Sequence, residues 1–201
     1  MFELLPNGNV CEIGVAKGDF AELIIKHNNP KKLFLVDVWD NIEMSYSDSN
    51  MVDKNSQNKR YDYVLNKFND YSSVNLIRKS SLEAHKEFNK NFFDWIYIDA
   101  DHSYNGCLND LNNFDEKVKT DGYICGHDFN NIIKNGYGVN QAVNDFIKEK
   151  NYFLSFITLD KKKYMYVNNE KKDFKEGSFI ISKNQNSHQN LLNKIIKSKL
   201  I

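Results

Sequence analysis

Short apolar runs alternate along the chain with longer stretches that repeat an apolar residue every third or fourth position. That alternation predicts a parallel sheet with crossover helices. Val10-Cys11-Glu12-Ile13 reads as a strand ending at Gly14. Asp19–His27 follows as a helix, with Phe20, Leu23 and Ile24 on one face and Asn28-Asn29-Pro30 stopping it. Lys32–Asp37 is a second strand, apolar enough to be covered on both sides. Asn41–Asn58 is polar and reads as a surface loop, and the helical pattern resumes over Lys59–Asp70. Val74–Ile77 is a third strand, Leu82–Phe88 a short helix, and Phe93–Asp99 a fourth strand. A helix over Gly106–Val118, a strand over Gly122–Cys125 and a helix over Val139–Lys150 come next. Phe153–Thr158 and Tyr164–Val167 then predict a hairpin across Asp160-Lys161-Lys162.

Five strand–helix steps and a terminal antiparallel pair make an α/β fold. Its sheet is mostly parallel and seven-stranded, with helices on both faces and a C-terminal antiparallel hairpin. At 201 residues the chain suits one such domain. We place it at residues 1–169, followed by an extension over 170–201. The apolar positions of Leu191–Ile201 fall at helical spacing between lysines, which predicts an amphipathic helix packed back on the domain.

Charge narrows the partners. The 27 basic and 27 acidic residues cancel, so no electrostatic footprint favours nucleic acid or an anionic membrane. A small-molecule substrate is expected, and a homo-oligomer stays open. Cys11, Cys107 and Cys125 are far apart and form no CxxC pair, which suits reduced thiols in a cytoplasmic protein. The first residues lack the pattern of a signal peptide, and no apolar run approaches the ~20 residues that span a bilayer.

Candidate chemistry gathers at the ends of the predicted strands. Glu12-Ile13-Gly14-Val15-Ala16-Lys17-Gly18 lies between a strand and a helix, where glycines admit a ligand to the backbone and the helix start presents free N–H groups. The spacing is G-x-x-x-G, without the G-x-G-x-x-G of a dinucleotide site. Asp37 ends the second strand about twenty residues on, where a carboxylate can accept from ribose hydroxyls. Asp99 ends the fourth strand at the same edge. Asp99-Ala100-Asp101-His102-Ser103-Tyr104 and Gly126-His127-Asp128-Phe129 should converge, because adjacent parallel strands lie about 4.8 Å apart. Asp99, His127 and Asp128 could then hold a divalent cation, or form a hydrogen-bonded acid–histidine cluster without one. His102 is a separate candidate for taking a hydroxyl proton.

This ordered set of motifs resembles the class I S-adenosylmethionine (SAM)-dependent methyltransferases, whose fold is Rossmann-like. The likeness covers roughly residues 9 to 168. Within that group it is similar to the branch of macrolide-sugar and catechol-type O-methyltransferases. The resemblance implies SAM contacts at Glu12, Gly14, Gly18, Asp37 and Asp99, with Ser81 and Leu82 against the adenine. It implies a divalent metal (Mg, Mn or Fe) on Asp99, His127 and Asp128, although related enzymes usually carry a carboxylate where His127 stands. It places His102 at the catalytic base, with methyl transfer to a hydroxyl oxygen of a small molecule or sugar. Only about nine residues precede the first strand, so the site's cover is expected from Asn41–Asn58, Asn130–Gly138, the tail or another subunit.

Overall fold

Alternate side chains of each strand point to opposite faces of the sheet, and here both faces are apolar. Val10, Trp95, Tyr123 and Ile180 face one core, while Cys11, Ile96, Ile124 and Ile181 face the other. A computed structural model describes residues 1–40, 52–130, 136–158 and 177–198, and the backbone alone of 163–167 and 170–174. Its elements run β1 (Asn9–Ile13), α1 (Asp19–Asn28), β2 (Lys32–Asp37), α2 (Lys54–Lys67), β3 (Val74–Arg78) and α3 (Ser81–Ala84). They continue with β4 (Phe93–Ile98), α4 (Tyr104–Asp115), β5 (Val118–Gly126), α5 (Val139–Lys150) and β6 (Phe153–Ile157). The chain then forms β7 (Lys163–Val167), β8 (Glu170–Phe174), β9 (Phe179–Ser182) and α6 (Gln185–Ser198).

The main sheet has seven strands in the order β3-β2-β1-β4-β5-β9-β6. The five strands from β3 to β5 pair in parallel, and β9 lies antiparallel between β5 and β6. Helices α1 and α6 supply Ala21, Ile24, Leu191 and Ile195 to one core. Helices α4 and α5 supply Leu111, Phe114, Val143 and Phe146 to the other. This is the expected Rossmann-like α/β class.

Three local expectations change. Tyr164–Val167 does not pair with the strand at Phe153: β6 pairs β9, and β7 pairs β8 in a separate two-stranded sheet. Within the expected extension over 170–201, β9 sits inside the main sheet with all four residues buried. The helix of the tail does form, starting at Gln185. Helix α2 begins at Lys54, within the stretch read as loop. Its N-cap Asp53 accepts from Ser56 N at 3.1 Å and from Ser56 Oγ at 2.6 Å, so the polar residues there form a helix start. Ser103 likewise caps α4, accepting from Gly106 N at 3.1 Å, and moves that helix two residues earlier than its apolar pattern suggests. The remainder of the expected loop, 41–51, lies outside the described residues, as does 131–135 of the other covering segment. Among the described residues, no helix is long and apolar enough to cross a membrane.

If β9 is an interior strand, a chain ending at residue 169 should lose cooperative unfolding in urea. Ile181→Ala in the full chain should cost about 2–5 kcal/mol, whereas Leu82→Ala, 59% exposed, should change stability little. A truncated chain that unfolds as cooperatively as the full one would overturn this placement.

Candidate active site

The pocket begins at the turn after β1. Gly14 has φ +88°, and a Cβ there would lie 2.1 Å from the carbonyl oxygen of Asp99, so only glycine lets the β1 turn cross the end of β4. Gly14 N donates to Val36 O at 2.9 Å, and Asp99 N to Ile13 O at 2.8 Å. These two bonds carry the ladder just past the strand ends and fix three loops side by side.

Asp37 holds the turn in place. Its Oδ2 accepts from Val15 N and Ala16 N, each at 2.9 Å, and its Oδ1 accepts from Trp39 N at 2.8 Å. Trp39 is fully buried with φ +41°, and its indole Nε1 donates to Ala16 O at 2.9 Å. Asp37, expected as a ribose ligand, is thus first the acceptor for three backbone amides. A carboxylate has about four lone-pair sites, so a ribose hydroxyl can still be added. Trp39 was missed from sequence. Its signal is the Asp-x-Trp spacing of an Asx-type turn. From below, Lys67 of α2 joins Asp19 and Glu22 of α1, each at 2.9 Å, and reaches Lys17 O at 3.3 Å.

These loops enclose a pocket of about 780 Å³, a size suited to a nucleoside-bearing cofactor. Glu12, Gly14, Asp37, Ser81, Leu82, Asp99 and His102 line it. Gly18 does not. It starts α1 with φ +73°, and a Cβ there would meet the Phe68 ring at 2.6 Å, so its part is the turn behind the wall. Lining residues that the motif reading did not single out include Arg60 of α2 and, from α4, Asn109 and Asp110. They sit on helix faces whose polarity reads as ordinary solvation.

Glu12 stands on the pocket floor, 1% exposed, and its Oε2 has no hydrogen-bond partner. Burial, then the charges of Asp99 and Asp37, push its carboxyl well above the usual carboxylate range. Burial also pushes Asp110, 3% exposed, up to about 7. A ligand carrying positive charge beside these carboxyls would offset the shift and favour their ionised forms.

At the rim, His102 Nε2 lies 3.0 Å from Asp99 Oδ1 and 3.2 Å from Asp128 Oδ2. The Tyr137 ring stacks on the imidazole with centroids 4.8 Å apart, and Gly138 N donates to His102 O at 2.8 Å. Asp128 adopts φ +57°, a left-handed conformation that Asp tolerates better than most residues. Asp99, His102 and Asp128 are the group, among the described residues, whose ligand atoms all lie within 4.8 Å of one another. His127, expected in that group, is outside it: its Nδ1 is 3.4 Å from Asp128 Oδ2 and it does not share the common point with Asp99. The reason is local. The backbone of β5 ends at Gly126 and the turn at Asp128 sends successive side chains in different directions.

A glycine turn after β1, a carboxylate after β2 and a ligand-sized pocket across the carboxyl edge of a parallel sheet define a Rossmann-like nucleoside-cofactor protein. A methyltransferase-domain family model matches residues 11–129, and the chain belongs to that family, the class I SAM-dependent methyltransferases. No curated protein matches the sequence. Solved structures of the same fold include Thermotoga maritima spermidine synthase, with TM-score 0.58 and 18% identity over 94% of this chain and 58% of that one. M. capricolum TrmK bound to S-adenosylhomocysteine gives 0.57 and 14%, over 91% of this chain and 66% of that one. Geobacter metallireducens precorrin-6y C5,15-methyltransferase gives 0.56 and 13%, over 89% and 82%. The chain spans 58% of the spermidine synthase's length, and these identities speak to fold alone.

Glu12 and Asp37 should answer mutation with opposite signs. Above the ordinary carboxylate pKa of about 4.3, folded Glu12 keeps a proton that the unfolded chain releases. Its contribution to stability is therefore complete at low pH and falls as pH rises, by up to about 1.4 kcal/mol per unit until its folded pKa is passed. Glu12→Gln should raise the melting temperature by an increment that grows as pH rises above about 5. Parallel melting curves against pH would contradict it. Asp37→Ala strands amide donors and should cost about 1–3 kcal/mol, lowering the melting temperature across the range.

Proposed function

We propose that the protein transfers the methyl group of SAM to a hydroxyl oxygen of a small molecule or sugar, with His102 taking the proton. The observation that carries this is the position of His102: on the pocket wall, with Nε2 between Asp99 and Asp128 at 3.0 and 3.2 Å. An imidazole beside two carboxylates is stabilised as it becomes imidazolium, which is what a base needs as methyl transfer frees the hydroxyl proton. The sulfonium of SAM is itself the activated donor, so the chain's task is alignment and proton removal. The Asp99-Ala100-Asp101-His102-Ser103-Tyr104 and Gly126-His127-Asp128-Phe129 motifs support the macrolide-sugar and catechol-type branch. The cancelling charges of the whole chain support a small acceptor over a polyanion.

A divalent cation fits the chemistry of this cluster, because two carboxylates and an imidazole suit Mn²⁺ or Fe²⁺ and less well Mg²⁺. Asp99, Asp128 and His102 would hold it, and it would supply polarisation of the acceptor hydroxyl. Between two carboxylate acceptors Nε2 carries the ring hydrogen, so it would ligate a cation only after losing that hydrogen, and proton uptake falls to Nδ1.

His102→Ala should keep its affinity for S-adenosylhomocysteine while turnover, read as S-adenosylhomocysteine released with a panel of hydroxylated acceptors, falls about 10²–10⁴-fold. An undiminished rate would exclude the base. Calorimetric titration with Mn²⁺ tests the cation separately: binding that disappears in Asp128→Asn supports it, and absence of binding removes the metal from the reading.

A further inference from the structure

His102 and Asp128 belong to loops that diverge just past the sheet. The ladder between β4 and β5 ends at Ile98 and Gly126, with one further bond from His127 N to Ile98 O at 3.1 Å. Beyond it the first loop turns into α4 and the second runs on toward α5. The start of α5 reaches back to both. Gly138, its N-cap, donates from N to His102 O at 2.8 Å and lies so near α4 that a Cβ would sit 2.6 Å from Tyr104 N. Asn140 donates from Nδ2 to Phe129 O at 3.0 Å, one residue past Asp128. Its Oδ1 accepts from Asn144 Nδ2 at 3.1 Å, which fixes the orientation of the amide. Tyr104 OH donates to Asp145 Oδ2 at 3.0 Å, a second tie between the two helices. Tyr137 stands at the centre of this clasp, directly before the N-cap. Its half-buried ring lies over the His102 imidazole, with centroids 4.8 Å and planes 30° apart.

We propose that Tyr137 is a positioning residue: its ring fixes the plane of the His102 imidazole and so the direction of the nitrogen that takes the proton. The inference rests on His102 being the base. The contacts to Asp99 and Asp128 both fall on Nε2 and pin one atom of the ring. The outer torsion of a histidine has a broad energy well, so the ring can still tilt about that atom and carry Nδ1 with it. A stacked aromatic ring removes this freedom, because the tilt would cost the face-to-face contact. The hydroxyl of Tyr137 has no part in that restraint, so a phenyl ring should serve as well. A branched aliphatic side chain of similar bulk should fill the space without setting the plane.

The test compares Tyr137→Phe and Tyr137→Leu with wild type, each as the full chain. The first readout needs no acceptor: the rate at which diethylpyrocarbonate acylates His102, read by peptide mapping. His27, His85 and His188 serve as internal references. Tyr137→Leu should speed the modification of His102 by roughly 2- to 10-fold, the factor that one aromatic pair is worth, with the references unchanged. Tyr137→Phe should match wild type. The second readout is turnover of the hydroxylated acceptor that wild type uses best, with KM and S-adenosylhomocysteine affinity measured alongside. There Tyr137→Leu should lower kcat roughly 10- to 100-fold while KM and affinity hold, and Tyr137→Phe should keep the rate. An unchanged acylation rate at His102 in Tyr137→Leu overturns the proposal, and so does a kcat that stays at the wild-type level. Equal acceleration at the reference histidines also overturns it, as the mark of general loosening. Full turnover in His102→Ala is a different result, which removes the base and this inference with it, whatever the acylation rates show.

Discussion

The carboxylate of Asp37 is the constraint on which the pocket depends. Three backbone amides from two loops converge on its two oxygens, and none of those donors lies in a helix or ladder that could satisfy it otherwise. Because Val15 and Ala16 are held there, the β1 turn keeps Gly14 against the Asp99 carbonyl and keeps the start of α1 open toward the pocket. Because Trp39 is held there, its indole closes the loop from behind through Ala16 O. Trp39 and Ala16 both carry positive φ without being glycine, a strain of order 1–3 kcal/mol at each that persists only where surrounding contacts dictate it. The charge of Asp37 is therefore structural before it is functional.

Around that fixed turn the pocket is acidic, and burial decides what each acid does. Asp37 is committed to three backbone amides. Glu12, with one oxygen unpartnered, is driven toward its neutral form. Asp99 and Asp128 share an imidazole. A cation placed among these carboxyls would favour their ionised forms, and the sulfonium and ammonium groups of SAM are cationic. Such an arrangement stores destabilisation in the empty protein that a cationic ligand relieves, so affinity and apo stability oppose one another here.

Much of this was legible in the sequence, for physical reasons. The five parallel strands are apolar on both faces and stand out as continuous runs, and the strand-end carboxylates follow from topology once the strands are placed. The misses share a cause. Phe179–Ser182 is four residues long in a polar tail, so local periodicity could not rank it above Tyr164–Val167, and its pairing with β5 is a long-range choice. Asp53 and Ser103 looked like loop residues because N-caps are polar. Asp110 looked like helix solvation, since periodicity marks which residues are apolar and is blind to a buried acid among them. His102 joins Asp99 and Asp128 where His127 was expected, and the positive φ at Asp128 is a local turn that no spacing rule conveys.

The tail's contribution reaches the chemistry. β9 runs beside β5, and the Phe179 ring packs so closely on Gly126 that a Cβ there would lie 2.5 Å from it. One residue before β9, Ser178 Oγ meets the buried hydroxyl of Tyr97 at 2.7 Å. Gly177 O accepts from Phe129 N at 3.0 Å, immediately after Asp128. The turn that aims Asp128 at His102 is thus clamped on one side by residues 177–179. Strand β9 and the Asp128 turn thus pack as one unit, which couples the completion of the sheet to the placement of Asp128 beside His102.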